Sequence, residues 1–207
     1  MTGLQRAAFL DRDGVINIDT HYLHRWEDFE YVPGTVDAMR RLHAAGYRLV
    51  VVTNQSGIAR GYYTDADFQQ LTTRMCADLA EQGCPVTAVY HCPHLPNASV
   101  PELRQDCDCR KPGPGMIVRA CAEWQLDPTT SVMVGDKASD IEAARAAGVG
   151  QAFLVTSGQT LDEAERQARG EDVIRQQFDD EREAAEQAAK DMIAGGAGQQ
   201  DGLGSEA

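Results

Sequence analysis

The sequence of 207 residues has no apolar run approaching the roughly 18 residues that a membrane-spanning helix needs. Its N-terminus offers only Ala7-Ala8-Phe9-Leu10 before charge returns. That group is too short for a signal-peptide core, so a cytoplasmic protein without membrane association is expected. Positive charge is also scarce: the formal net charge of -13 argues against a general nucleic-acid binder, which would present a basic face. No two of the six cysteines stand at C-x-x-C spacing, and without a secretion signal they do not read as a disulfide framework. There is no internal repeat.

What remains is the composition of an ordinary soluble domain, 43% hydrophobic and 25% charged, in a chain long enough to bury a sizeable core. The acidity is uneven. Residues 161–207 hold 13 acidic and 5 basic residues, a net of -8, which leaves only -5 for residues 1–160. A nearly balanced core has room for a local basic pocket facing an anionic substrate. One domain is expected over residues 1–175, with an acidic helix and a disordered Gly-rich tail over 176–207.

The apolar pattern alternates strand and helix. Strands are expected at 7–10, 47–53, 86–91, 131–136 and 151–155, and a further short one near Val173-Ile174. Helices are expected at 34–46, 64–83, 114–126 and 139–148, the second opened by a Thr64–Asp67 capping box. This order implies an α/β fold, a parallel sheet covered by helices on both faces. Ligands of such sheets bind beyond the carboxyl ends of the strands.

Polar clusters fall at those ends. Asp11 and Asp13 follow the first strand, with Gly14 permitting a tight turn. Thr53 and Asn54 end the most β-branched strand and lead into Gln55, Ser56 and Gly57, a loop whose backbone donors suit a phosphate. Lys111 precedes the 114–126 helix, as a point charge suited to a phosphate. Asp136 follows the 131–136 strand with Lys137 beside it and Asp140 opening a helix. Each cluster alone is as well explained by a turn or a solvated surface. Their joint placement after strands is not.

The set Asp11-Arg12-Asp13-Gly14, Thr53-Asn54, Lys111 and Gly135-Asp136-Lys137-Ala138-Ser139-Asp140 resembles the haloacid dehalogenase (HAD) superfamily of phosphotransferases across residues 6–155. The resemblance implies a three-layer Rossmann-like fold, with Asp11 as the nucleophile that forms an aspartyl-phosphate and Asp13 as the acid and base. It further implies Mg²⁺ held by Asp11, Asp136 and the backbone carbonyl of Asp13, and Thr53 and Lys111 on the phosphoryl oxygens. About 20 residues separate Asp13 from the helix at 34, too few for the cap domain common in this superfamily. Specificity then falls to loops. His21, Tyr22 and Arg25 are candidates to touch substrate, equally well read as a packed flap with exposed charges.

The remaining loop, 91–110, places Cys92-Pro93-His94 and Cys107-Asp108-Cys109 as C-x-H…C-x-C. Three thiolates and one imidazole match a closed, structural Zn²⁺ site. Cys76, Cys84 and Cys121 read as small buried hydrophobes. HAD members without a cap but with this loop resemble the D-glycero-D-manno-heptose-1,7-bisphosphate 7-phosphatases, which act in lipopolysaccharide core precursor synthesis, or the histidinol-phosphate phosphatases. The long spacer before "CDCRKP" favours the first group. In that group the segment Asp19-Thr20-His21-Tyr22 contacts the sugar, Arg110 and Lys111 read the substrate, and Lys137 lies close to the phosphate; Thr53, Asn54, Gln55 and Ser56 are expected on the substrate from their own loop. A monomeric sugar-bisphosphate phosphatase is therefore expected. The alternatives are histidinol-phosphate hydrolysis and a zinc-stabilised binding protein without activity.

Overall fold

The computed structural model describes residues 4–155. The strand expected near Val173-Ile174, the acidic helix and the Gly-rich tail lie outside the described residues.

Five parallel strands, β1 (Ala7–Leu10), β2 (Arg48–Asn54), β3 (Val86–Cys92), β4 (Val132–Gly135) and β5 (Gln151–Leu154), stand in the order β3-β2-β1-β4-β5. Five helices connect or flank them: α1 (Thr35–Ala44), α2 (Ser56–Ala59), α3 (Asp65–Glu81), α4 (Gly115–Trp124) and α5 (Ala138–Ala146). The α/β architecture and each expected strand and helix within the described residues are present, with ends that differ by one to a few residues, as frayed termini do. The short α2 is unanticipated, because "NQSG" carries no helical period. The chain returns from β1 to α1 through one 3₁₀ turn, Trp26–Asp28, and from β2 to α3 through α2. Neither connection builds a domain. Among the described residues no helix is long and apolar enough to cross a membrane.

Why the sheet sits at the centre follows from the pleat. Successive side chains of β1 point to opposite faces. Ala8 and Leu10 join Leu49, Val51, Met39 of α1, and Met75 and Leu79 of α3 in one core layer. Ala7 and Phe9 join Val50, Val52, Met133, and Met116, Ile117 and Ala143 of α4 and α5 in the other. With both faces covered, β1 and the central run of β2 carry apolar residues at every position, the mark of a buried parallel strand. The capping box is formed: Asp67 donates its backbone N–H to the Thr64 hydroxyl, and Thr64 donates its own to the Asp67 carboxylate.

The order places β1 next to both β2 and β4, so the crevice at its carboxyl end is the switch point of the sheet. Asp11, Thr53 and Asp136 all emerge there.

One buried contact fixes the start of β1. The Ala7 backbone N–H donates to Ser131 Oγ at 2.8 Å, and Ser131 Oγ donates to the Asp127 carbonyl at 2.6 Å. Replacing Ser131 by Ala leaves the Ala7 donor buried and unbonded, which costs about 1–3 kcal/mol. The expected result is a lower urea midpoint with an unchanged slope; an unchanged midpoint would show that the contact contributes nothing.

Candidate active site

Asp11 leaves β1 with its backbone N–H still bonded to the Val134 carbonyl of β4. The chain then folds over Arg12, whose carbonyl accepts from the backbone of Ile16 and Asn17. Gly14 makes this turn possible, at φ +87° and with no room for a side chain: a Cβ there would stand 2.5 Å from Asp136 Oδ2. The Gly14 backbone thus lies directly against the Asp136 carboxylate. Gly135 performs the same service on the far side, where a Cβ would meet Asp140.

At the bottom of the crevice lies Lys111. Its ammonium is 3.0 Å from Asp11 Oδ1 and 2.5 Å from Asp140 Oδ1, and it donates to the Val52 carbonyl at 2.8 Å. Lys111 and Asp140 are almost wholly buried, at 3% and 0% exposure. Its main chain is gripped as firmly. Asn54 accepts from the Lys111 backbone N–H and donates to the Lys111 carbonyl, both at 3.0 Å. Burial works against the Lys111 charge, but Asp11 and Asp140 more than offset it and raise its pKa.

Oxygen atoms of Asp11, Asp136 and Asp140 lie within 4.8 Å of one another. Burial is the main reason that the Asp11 carboxyl is pushed up to about 7; Lys111 opposes the rise, and Asp140 and Asp13 add to it. Asp136 is also raised, chiefly by burial. Its Oδ1 is buried without a hydrogen-bond partner. Crowded carboxylates with an unbonded oxygen and only oxygen donors fit a hard divalent cation such as Mg²⁺. Asp140 is the member that the sequence reading left out of the site. The G-D-x-x-x-D spacing contained it, but its pairing with Lys111 depends on the fold.

Asp13 points elsewhere. Arg12, 1% exposed and the largest fully buried side chain among the described residues, grips both its oxygens, from Nε at 3.1 Å and Nη2 at 2.9 Å. Asn17 donates to its Oδ1 at 3.0 Å, and Gln55 to its Oδ2 at 3.1 Å. Arg12 is itself held by the Leu23 carbonyl and lies over the Phe68 ring. Neither Arg12 nor Asn17 carried a sequence signal. Thr53 is buried at the end of β2 and accepts from Gln55 Nε2 at 2.8 Å. Gln55 and Asn54, expected on the substrate, have their amides bonded to protein groups; Ser56 is half-buried as the first residue of α2.

The loop residues are more exposed. Asp19 Oδ2 lies 3.6 Å from Lys137 Nζ, which is 3.5 Å from Asp136 Oδ2, so the flap reaches the carboxylates through Lys137. Thr20 is exposed, His21 is 88% exposed in its side chain, and Tyr22 packs edge-on against Tyr62. Arg25 pairs with Asp28 on the surface.

Loop 91–110 gathers Cys92, His94, Cys107 and Cys109. The thiol sulfurs are 3.3, 3.3 and 3.6 Å apart, and His94 Nδ1 is 3.3 Å from Cys109 Sγ and 3.8 Å from Cys92 Sγ. Metal–sulfur bonds of about 2.3 Å at tetrahedral angles give edges of about 3.8 Å, so four ligand atoms already stand near a tetrahedron. All six cysteines are free thiols. Cys84 is buried as expected, whereas Cys76 and Cys121 are half-buried against the two core layers. His91 bonds Asp65 at 2.8 Å and stays outside the cluster. Arg110 donates to the His94 carbonyl at 3.4 Å, which ties the residue before Lys111 to the cluster.

A family profile described as HAD-hydrolase-like matches residues 108–180. The chain is 51% identical over 155 residues to a Salmonella typhi protein named D-glycero-beta-D-manno-heptose-1,7-bisphosphate 7-phosphatase, covering 75% of this chain and 82% of that one. It is 47% identical over 158 residues to a Photorhabdus laumondii protein named for the alpha anomer, covering 76% and 86%. The crystal structure of D,D-heptose 1,7-bisphosphate phosphatase from B. bronchiseptica, complexed with magnesium and phosphate, superposes with a TM-score of 0.65 at 34% identity over 76% of this chain and 86% of that one.

The Asp11 carboxyl binds its proton more tightly folded than unfolded. Metal-free protein therefore loses stability as pH rises from the ordinary value of 3.8 through about 7. In magnesium-free buffer, Asp11→Asn should match the wild type in thermal midpoint at about pH 4 and exceed it by a few degrees at about pH 8. A difference that does not change with pH would contradict this origin.

Proposed function

The chain belongs to the HAD-like phosphatases, and on that premise we propose that it removes the 7-phosphate of D-glycero-D-manno-heptose 1,7-bisphosphate through an aspartyl-phosphate on Asp11. The observation that carries this reading is the meeting of Asp11, Lys111, Asp136 and Asp140 at one point. Relatives aligned over three quarters of the chain bear that name. They are named for both anomers at similar identity, so the reading covers the heptose bisphosphate in either form. Its place would be the synthesis of lipopolysaccharide core precursors.

In this reading Asp11 Oδ attacks phosphorus, a bond forms to the carboxylate oxygen, and the bond to the sugar oxygen breaks. Asp13 gives its proton to that leaving oxygen and then takes one from the water that cleaves the acyl phosphate. To do so it must be reached by the sugar oxygen while Arg12, Asn17 and Gln55 keep its carboxylate from turning away. Lys111 and the Thr53 hydroxyl hold the phosphoryl oxygens as their charge redistributes. Mg²⁺, bound by Asp11, Asp136 and the Asp13 carbonyl, would supply neutralisation between two anionic reactants. Asp140 anchors Lys111. Arg110, Lys137 and the segment 19–22 read the sugar in this proposal.

Zn²⁺ on Cys92, His94, Cys107 and Cys109 would have no free coordination position and so no part in the chemistry. Its role is to fix the loop that aims Arg110 and Lys111.

Phosphate release should be fastest from heptose 1,7-bisphosphate when both anomers, fructose 1,6-bisphosphate and histidinol phosphate are compared with Mg²⁺. A preference for histidinol phosphate would replace the substrate assignment. Asp11→Asn should abolish turnover in a folded protein, and near-normal activity would remove the mechanism. Purified protein should contain about one equivalent of zinc. Stripping it should raise KM and lower the thermal midpoint; a normal KM in zinc-free protein would break the link between cluster and basic pair.

A further inference from the structure

Tyr63 lies outside every motif, yet its hydroxyl is 2.5 Å from Gln55 Oε1. The other end of the same amide, Gln55 Nε2, is 2.8 Å from Thr53 Oγ1 and 3.1 Å from Asp13 Oδ2. We propose that Tyr63 is a positioning residue: by holding the Gln55 carboxamide in one orientation, it aims the Thr53 hydroxyl hydrogen at the phosphoryl group. The proposal rests on the phosphatase reading and adds to it a residue that never touches substrate.

The direction of each bond can be worked out from what each atom is able to do. Asp13 Oδ2 accepts from Arg12 as well, and a carboxyl keeps acceptor lone pairs even when it carries the proton that it later gives away, so the end of Gln55 beside it is the NH₂. That leaves Oε1 facing Tyr63, which must donate. Burial pushes the Tyr63 hydroxyl up to about 12, so the proton is in place throughout the physiological range. The two amide hydrogens are then assigned, one to Asp13 and one to Thr53. Thr53 Oγ1 is thereby an acceptor from Gln55, and its single hydrogen is left for a different acceptor. In the proposed reaction that acceptor is a phosphoryl oxygen.

The phenol cannot drift. Its ring lies against the backbone of Gly57, where a Cβ would stand 2.2 Å from Tyr63 Cε1. His24 stacks on it at 5.2 Å with planes 5° apart. Tyr63 and Gln55 are both buried, at 7% and 2% exposure. Without the phenol hydroxyl, Gln55 Oε1 becomes a buried carbonyl with no partner. The carboxamide then loses the bond that fixes its orientation, and an amide turned so that Oε1 faces Thr53 would take the hydroxyl hydrogen away from the phosphate.

Tyr63→Phe keeps the ring and removes only the hydroxyl. Outright loss of one such donor lowers kcat by about 100- to 1000-fold, and misdirecting it should lower kcat by roughly 10-fold. Inhibition by inorganic phosphate should weaken in parallel. Combining Tyr63→Phe with Gln55→Leu should lower kcat no further than Gln55→Leu alone, since both break one chain of bonds. A hydroxyl that serves only packing would lower the thermal midpoint and give losses that multiply. Wild-type kcat and phosphate inhibition in Tyr63→Phe, or multiplying losses, would overturn the proposal. Inactivity of the wild type on every phosphate ester would instead sink the function. The relay would still be decided by the side-chain amide NMR signals of Gln55: Tyr63→Phe should shift them and speed their exchange, and unchanged signals would refute it.

Discussion

The Lys111 ammonium is the constraint around which the site is organised. An ammonium has three hydrogens to place, and an unpaired one deep in a protein costs several kcal/mol. Here the ammonium is paired with Asp11 just past β1 and with Asp140 of α5, and it donates to the Val52 carbonyl of β2. Each comes from a different part of the sheet's carboxyl edge. The chain must therefore return from the cysteine loop to that edge for the fold to be satisfied at all. One cation against two carboxylates leaves negative charge in excess, and Asp136 adds to it. The same arrangement that anchors Lys111 thus gathers carboxylate oxygens whose excess charge a hard divalent cation would balance.

Asn54 connects this centre to the cysteine cluster. It ends β2 beside Cys92 of β3, and the Gln55 backbone N–H donates to the Cys92 carbonyl at 2.8 Å. With both its donor and its acceptor Asn54 holds the main chain of Lys111, two residues after Cys109. The cysteine cluster and the Lys111 centre are therefore two ends of one short stretch of backbone. A shift of the first is felt by the second without any intervening domain.

Much of this could be read from the residues in order. Alternating apolar runs specified the parallel sheet, because strands buried on both faces are apolar at every position, and the polar groups then had to lie at strand ends. Asp11, Thr53, Lys111 and Asp136 were legible for that reason. Spacing alone cannot say which of two carboxylates faces an ammonium, and so Asp140 was passed over. Asn54 and Gln55 are expected on the phosphate because their loop offers backbone donors, which says nothing of where their side chains go. Only the fold shows that Tyr63 and Lys111 come round to meet their amides. Arg12 gave no hint of burial, since an arginine between two aspartates reads equally well as a surface charge.

Gly14 and Gly135 have a consequence for how the protein can change over time. Neither leaves space for a methyl group, because the side chains of Asp136 and Asp140 already fill the place. Substitution at this centre is closed off in almost every direction. The flap at 19–22 is the reverse: exposed and lightly bonded. Exposed side chains can vary more readily there, although the positive φ of His21 and Tyr22 narrows which residues fit. The rim can therefore change what it touches while the carboxylate centre stays as it is.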